Sequence, residues 1–281
     1  MKIGITGAYG LFGSGLTLVV GRGHEAVALT RAQADLTDAQ QVARVFRPMK
    51  LDVLIHAAAN PDPDDCELHP DAAFRANVGA TANLARLSHE LGFALALIST
   101  DAVFDGTKTT PYVETDETNP ISVYGRTKLA AEHEVVKLPR HWIFRVSVLF
   151  GPGKLNFIDK GLRKVANGEE YVVASDQVGS SAYTLDAAEK ILELIEAQRF
   201  GMYHLSNVGR CSRLELARAA AEIAGLDSSR VIGKPLAEMK RPGPRPEYTE
   251  MEMRALKEAG FTTPRAWQDA LAEYLSKFWK G

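Results

Sequence analysis

Tyr124 and Lys128 stand four residues apart in NPISVYGRTKLAAEHEV (119–135), a segment that reads as the start of a helix. One helical turn would put both side chains on a single face. A free phenol titrates near pH 10 and moves protons poorly at neutral pH. A neighbouring ammonium favours the phenolate and brings the group towards the working range. Such a pair also arises readily by accident, with the ring packed and the amine solvated, so its surroundings must decide. LISTDAVFDG (97–106) supplies them, because Ser99 and Thr100 close an apolar run. If that run is a strand, its C-terminal edge is where ligands of open α/β sheets collect. There the Thr100 hydroxyl and the Tyr124 phenol can address one carbonyl oxygen, with Lys128 on the ribose of a nicotinamide coenzyme. No other tyrosine in the chain is followed by a lysine at this spacing.

A coenzyme needs its own cradle, and GITGAYGLFGSG places Gly7, Gly10 and Gly13 at the first turn. A tight strand-to-helix turn wants a residue without Cβ strain. Bare backbone lets a pyrophosphate approach free N–H groups at the helix N-terminus. The spacing is G-x-x-G-x-x-G rather than the commoner G-x-G-x-x-G. Its position after the first strand is what points to a dinucleotide, with Gly7, Tyr9, Gly10, Leu11, Phe12 and Gly13 lining the turn. The second strand ends ALTRAQADLTD. An acid here would accept a ribose 2′-hydroxyl, whereas an arginine accommodates a 2′-phosphate. Thr30 and Arg31 occupy the place and the first acid is Asp35, which favours NADP(H); NAD(H) stays compatible.

These groups must be held by a particular architecture. KIGIT (2–6), AVALT (26–30), DVLIHAA (52–58), ALALIS (94–99) and IFRVSVL (143–149) read as strands apolar enough to be covered on both faces. Helical patterns fall between them near 11–21, 38–47, 71–91 and 122–137, with Thr37 and Gln40 as a capping box for the second. This alternation predicts an α/β fold, a doubly wound, Rossmann-like parallel sheet. The expected division is a coenzyme-binding domain over 1–150, to which 177–207 returns. A smaller, partly interleaved C-terminal lobe over 151–176 and 208–281 would take the substrate. In it, 157–167 and 189–197 read as helices, 202–206 as a strand, and 212–225 as a helix capped by Ser212 and stopped by Gly225. KRPGPRPEY (240–248) reads as a surface loop.

The 281 residues carry a net charge of −2, so no basic field advertises nucleic acid or an anionic membrane. No apolar run approaches a membrane span and the N-terminus does not read as a signal peptide. Cys66 and Cys211 form no disulfide framework, and the histidines show no ligand spacing, so no metal is expected. A cytoplasmic location is the default. A homodimer is compatible with all of this.

Taken together, the glycine turn, HAAAN (56–60), Ser99–Thr100 and the Tyr124–Lys128 pair resemble an extended short-chain dehydrogenase/reductase. STDAVFDG, PISVYGRTKLAAE, DQVGSSAYTLDAA (176–188), GMYHLSNVGRCSRLELA (201–217) and RPEY (245–248) sharpen the resemblance to the dTDP-4-dehydrorhamnose reductase family, over nearly the whole chain. The resemblance implies NAD(P)H-dependent reduction at sugar C4, with Tyr124 as proton donor, Lys128 on the ribose and Thr100 orienting the carbonyl. It also implies Asp35 and Leu36 beside the adenine, Ala57, Ala58, Ala59 and Ser99 along the coenzyme, and Val103, Asn156 and Arg245 towards the nucleotide-sugar. Ala102 and Val148 stand where that family carries Tyr and Trp, Ser181–Ala182 where it carries Pro-Thr, and Leu11–Phe12 where many members carry Gln–Leu. The two lost rings predict a wider cleft with a weaker grip on dTDP-4-dehydrorhamnose, by about 1–3 kcal/mol, unless Phe150 or Tyr183 swings in. Two other readings fit the same residues. One is a reductase or epimerase of another activated sugar or carbonyl compound. The other is a non-catalytic NADP-binding regulatory subunit, as in the β subunit of methionine adenosyltransferase.

Overall fold

Six strands form the central sheet of the computed structural model, which describes residues 1–280: β1 (Lys2–Thr6), β2 (Glu25–Leu29), β3 (Val53–His56), β4 (Ala94–Thr100), β5 (His141–Val146) and β6 (Gly201–Leu205). Their spatial order is β6–β5–β4–β3–β1–β2 and every pair is parallel. Alternate side chains enter two separate cores. Ile3, Ile5, Ile55, Ala96 and Phe144 face one, and Leu54, Leu95, Leu97 and Ile143 face the other. Burial on both faces is why these segments are apolar runs rather than alternating patterns. The helices α1 (Leu11–Val20), α2 (Ala39–Phe46), α3 (Ala80–Leu91) and α4 (Val123–Val135) follow the first four strands. The chain passes from β1 to β2 on one side and then to β3 on the other. The β1/β3 crevice is therefore the switch point at which such sheets bind ligands.

Beyond β5 the chain adds α5 (Phe157–Ala166), α6 (Thr184–Glu196), α7 (Arg213–Ile223) and α8 (Trp267–Phe278). Of these, α6 packs on α1 and leads into β6, so both join the coenzyme-side layer. Tyr171–Ala174 pairs in parallel with Val231–Lys234, and a small sheet joins Cys211–Ser212, Val178–Gly179 and Tyr248–Thr249. Ser212 caps α7 in a reciprocal box with Glu215, and Gly225 follows the helix at φ +69°.

Two local expectations are corrected and one is refined. The cap of α2 is Asp38, whose carboxylate accepts the Gln40 and Gln41 N–H groups, while Thr37 turns back to Asp35. A carboxylate one residue closer to the helix reaches its free N–H groups better than the hydroxyl. The helix expected over 71–91 is present, running without a gap from Pro70 to Leu91, with a π turn at Arg75–Gly79 ahead of α3. The strand expected over 143–149 ends at Val146, and Val148–Phe150 leaves the main sheet to pair with Ser181–Tyr183. Ser147, at the break, lies within hydrogen-bond reach of Asp101 Oδ2 (2.6 Å) and the Ser180 carbonyl (2.5 Å). Among the described residues no helix is long and apolar enough to cross a membrane.

Candidate active site

The first turn is built of backbone. Gly7 sits at φ +67°, and a Cβ there would lie 2.8 Å from the Ala58 nitrogen. That contact brings the ends of β1 and β3 together at the switch point. A Cβ on Gly13 would collide with the Gly7 carbonyl, so α1 can press against the turn only with glycine in place. Gly10 is the N-cap and offers no side chain to the helix, and the first turn carries no acid. The N-terminal N–H groups of α1 are thus left to an outside anion. This cradle, which any Cβ would fill, fits the pyrophosphate of a dinucleotide. Tyr9 is exposed at the rim, Leu11 is half-buried, and Phe12 is buried in the core and lends the cradle only its backbone.

The adenosine end is framed by the close of β2. Thr30 directs its N–H and hydroxyl to Gln33 Oε1 (2.7 and 2.9 Å). Asp35 accepts the Thr37 N–H and hydroxyl, which hold its carboxyl below the usual range. Leu36 gives its carbonyl to Asn83. Arg31 is exposed and, among the described residues, has no hydrogen-bonded or ion-paired partner, so it is available to a 2′-phosphate. Arg31→Ala should therefore erase a preference for NADPH over NADH. Charge-assisted bonds to phosphate contribute about 1.5–3 kcal/mol, so the ratio of the two dissociation constants should fall about tenfold or more. Fluorescence titration of both coenzymes reads this directly, and an unchanged ratio would show that Arg31 only solvates.

At the end of β4 the predicted catalytic groups converge. The Thr100 hydroxyl accepts the Ala102 N–H (3.1 Å), lies 3.1 Å from Asp101 Oδ1 and reaches the Tyr124 phenol. Ser122 caps α4 at Gly125 and fixes the first turn that carries Tyr124. Lys128 is buried and donates to the Ile98 carbonyl at 2.6 Å. Burial draws its pKa down to about 8, against the pull of Glu132. The expectation that Lys128 lowers the phenol pKa is corrected here. Burial pushes Tyr124 far above its ordinary value, opposed by the Thr100 hydroxyl, while the Lys128 ammonium donates to the Ile98 carbonyl of β4. A phenol held neutral is the protonation state that proton donation requires. His56 sits beneath, bonded to Thr6 at 2.7 Å, and burial with the nearby Lys128 charge holds it neutral, with a pKa of about 3.

Two supports of this site have no motif of their own. Asn77, inside the π turn, accepts the Asn60 N–H (2.7 Å) and donates to the Asn60 carbonyl and to Thr127 Oγ1 on α4. It ties the Ala57–Ala59 loop to the catalytic helix. Glu132 accepts Arg145 Nε (3.0 Å) and Nη2 (2.7 Å) in a buried bidentate pair, and Ser99 Oγ at 2.5 Å. Ser99 was expected along the coenzyme, but its hydroxyl donates to the buried Glu132 carboxylate. Glu132 does lie four residues beyond Lys128, so helical spacing carried a signal for it.

Ala102 and Val148, the two positions expected to lack rings on the substrate side, are both half-buried. Phe150 and Tyr183 do not swing in, because they stack on one another in the core (5.5 Å) beside Tyr274. Val103 was expected to face the sugar, but it is buried with Phe104 and Tyr112, an apolar side chain drawn to the nearest apolar cluster. Asn156 is likewise corrected. It caps α5 through Ile158 and Asp159 and donates to Tyr274 Oη at 2.8 Å, leaving no amide group for a ligand. Arg245, also expected towards the sugar, is half-buried and held by Asp64 at 2.7 Å.

A glycine turn at the switch point of a parallel sheet, with Thr, Tyr and Lys at the end of the fourth strand, defines a nucleotide-coenzyme-binding protein of the short-chain dehydrogenase/reductase class. Within that class the chain belongs to the RmlD substrate binding domain family, whose model matches residues 1–279. It is 36% identical over 279 residues to the spore coat polysaccharide biosynthesis protein SpsK of Bacillus subtilis, covering 98% of this chain and 97% of that one. It is 38% identical over 283 residues to the dTDP-4-dehydrorhamnose reductase of Mycobacterium tuberculosis (strain H37Rv), covering 98% and 92%. Among solved structures it superposes on dTDP-4-dehydrorhamnose reductase of Bacillus anthracis in complex with NADP, with a TM-score of 0.95 at 31% identity, covering 99% and 100%.

Proposed function

We propose that this chain is an NADPH-dependent reductase of a dTDP-activated 4-keto-6-deoxy sugar, with dTDP-4-dehydro-L-rhamnose as substrate and dTDP-L-rhamnose as product. The observation that carries the reading is the meeting of a neutral Tyr124 phenol with the Thr100 hydroxyl at the end of β4, one helical turn from a buried Lys128. The coenzyme, when bound, supplies the hydride. Thr100 turns its hydroxyl from Asp101 to the substrate carbonyl and orients it. Tyr124 gives its proton to the same oxygen as negative charge develops there. Lys128 holds the coenzyme ribose, and the uncapped N-terminus of α1 holds the pyrophosphate. The family relationship, and relatives named as reductases of dTDP-keto sugars, support the substrate class.

The sugar itself is where Ala102 and Val148 matter. The missing rings should raise KM for dTDP-4-dehydrorhamnose about ten- to a hundredfold over a ring-bearing relative, the equivalent of about 1–3 kcal/mol of contact. Steady-state NADPH oxidation with dTDP-4-dehydrorhamnose and with dTDP-4-keto-6-deoxyglucose tests this. A relative from Streptomyces niveus, 34% identical over 272 residues, carries the name of a reductase of the second sugar. A kcat/KM of about 10⁴ M⁻¹s⁻¹ or more on the first would show the rings to be dispensable. Absence of coenzyme oxidation with either would overturn the reading.

A further inference from the structure

We propose that Ser147 is a positioning residue for Thr100, acting through Asp101. Its hydroxyl turns to the Asp101 carboxylate when Thr100 turns from that carboxylate to the substrate carbonyl. The assignment deepens the reductase reading above and rests on it.

Ser147 stands where the chain changes sheets. Its predecessor Val146 closes β5 in register with Thr100, and its successor Val148 is in register with Ser181. The serine is therefore buried between the end of the catalytic strand and the segment 178–183, with an acceptor on each side. Its Oγ lies 2.6 Å from Asp101 Oδ2 and 2.5 Å from the Ser180 carbonyl. A serine hydroxyl carries one proton, and an ionised carboxylate and a carbonyl only accept. Ser147 therefore serves one neighbour at a time, and rotation of its hydroxyl exchanges them. The Ser180 side is fixed. Ser180 Oγ accepts the Met251 N–H (3.0 Å), and the next carbonyl, that of Ser181, accepts the Asn207 N–H (2.8 Å).

Thr100 faces the other oxygen of the same carboxylate. Its hydroxyl accepts the Ala102 N–H (3.1 Å), and its single proton is within reach of Asp101 Oδ1 at 3.1 Å. Among the described residues no group besides Thr100 and Ser147 is hydrogen-bonded to this carboxylate. While Thr100 supplies Asp101, the serine proton is free to serve either neighbour. Once Thr100 turns to the substrate, the carboxylate keeps a donor only if Ser147 provides one. A buried carboxylate without donors is costly, and a neutral carbonyl that loses one costs less. The serine proton is thus drawn to Asp101 at the moment Thr100 leaves it. Without that proton, Asp101 competes with the substrate for the Thr100 hydroxyl.

The test is steady-state NADPH oxidation with the keto sugar by Ser147→Thr and Ser147→Val, which match in shape and differ in the hydroxyl. Each is also combined with Asp101→Asn. Ser147→Val should show a kcat/KM about ten- to a hundredfold below that of Ser147→Thr, the loss of a charge-assisted hydrogen bond. The NADPH dissociation constant should not move, which shows both variants to be folded. With Asp101→Asn the gap should shrink to about twofold or less, because an amide has no charge to satisfy and brings donors of its own. A serine that only supports the fold would give the same gap in both backgrounds, and that result would overturn the proposal. Should Asp101→Asn fail to fold, the single variants decide: a gap of about tenfold or more supports the role, and equal kcat/KM overturns it. Equal kcat/KM in variants that still turn over the keto sugar would leave the reductase reading intact. A wild type that oxidises NADPH with neither keto sugar would overturn that reading, and the positioning role with it.

Discussion

Tyr124→Phe should lower kcat by about a hundredfold or more while leaving the NADPH dissociation constant nearly unchanged. The ring still packs against Cys66, Ala73 and Val123, so the fold loses no volume. What disappears is the one neutral donor that meets Thr100 at the end of β4, and a positioned general acid contributes about 10²–10⁴ in rate. Burial holds this phenol protonated far above neutrality, so no alkaline loss of the donor is expected within the working range. Single-turnover mixing of coenzyme-bound protein with the keto sugar separates the proton-coupled step from product release. Near-normal turnover by the variant would remove Tyr124 from the mechanism.

Glu132→Ala should be the most damaging substitution for stability, costing about 3–5 kcal/mol. Glu132 and Arg145 are 2% and 4% exposed, and removing one partner leaves the other charged, buried and unpaired. In a chain of this size that corresponds to a melting temperature lower by roughly 10 °C. Urea unfolding at constant m-value checks the figure. Because the cost comes from the stranded guanidinium, adding Arg145→Met to Glu132→Ala should recover part of it. Glu132 also supports the charge on Lys128 against burial. In Glu132→Gln the lysine pKa should therefore fall below its value of about 8. The alkaline limb of kcat/KM for NADPH should move to lower pH, a readout that a purely structural role would leave in place.

Much of the coenzyme layer was legible because its determinants are local. Strands buried on both faces must be apolar runs, and β1, β3 and β4 were read within a residue or two. Gly7 and Gly13 were legible because only glycine survives φ +67° or contact with a neighbouring carbonyl. Beyond β5 the chain was legible mainly in its helices, whose caps and periodicity are also local, as with Ser212 and Gly225. The π turn left no pattern, since Asn77 in an amphipathic stretch looks like any helical asparagine.

The chain taken alone thus determined the alternation of strand and helix, the bare first turn, and a Tyr and Lys on one helical face. Only the tertiary structure decided which polar group meets which. Ser99 was free, in sequence, to face a coenzyme, and was claimed by Glu132 on α4. Asn156 was free to face a sugar, and was claimed by a helix end and Tyr274. Arg245 was held by Asp64, far from it in the chain. The reason is physical. Backbone preference and hydrophobic period act over a few residues. The pairing of buried charges is set by the register between elements that meet only after the sheet has formed, and by how much water each group has lost by then.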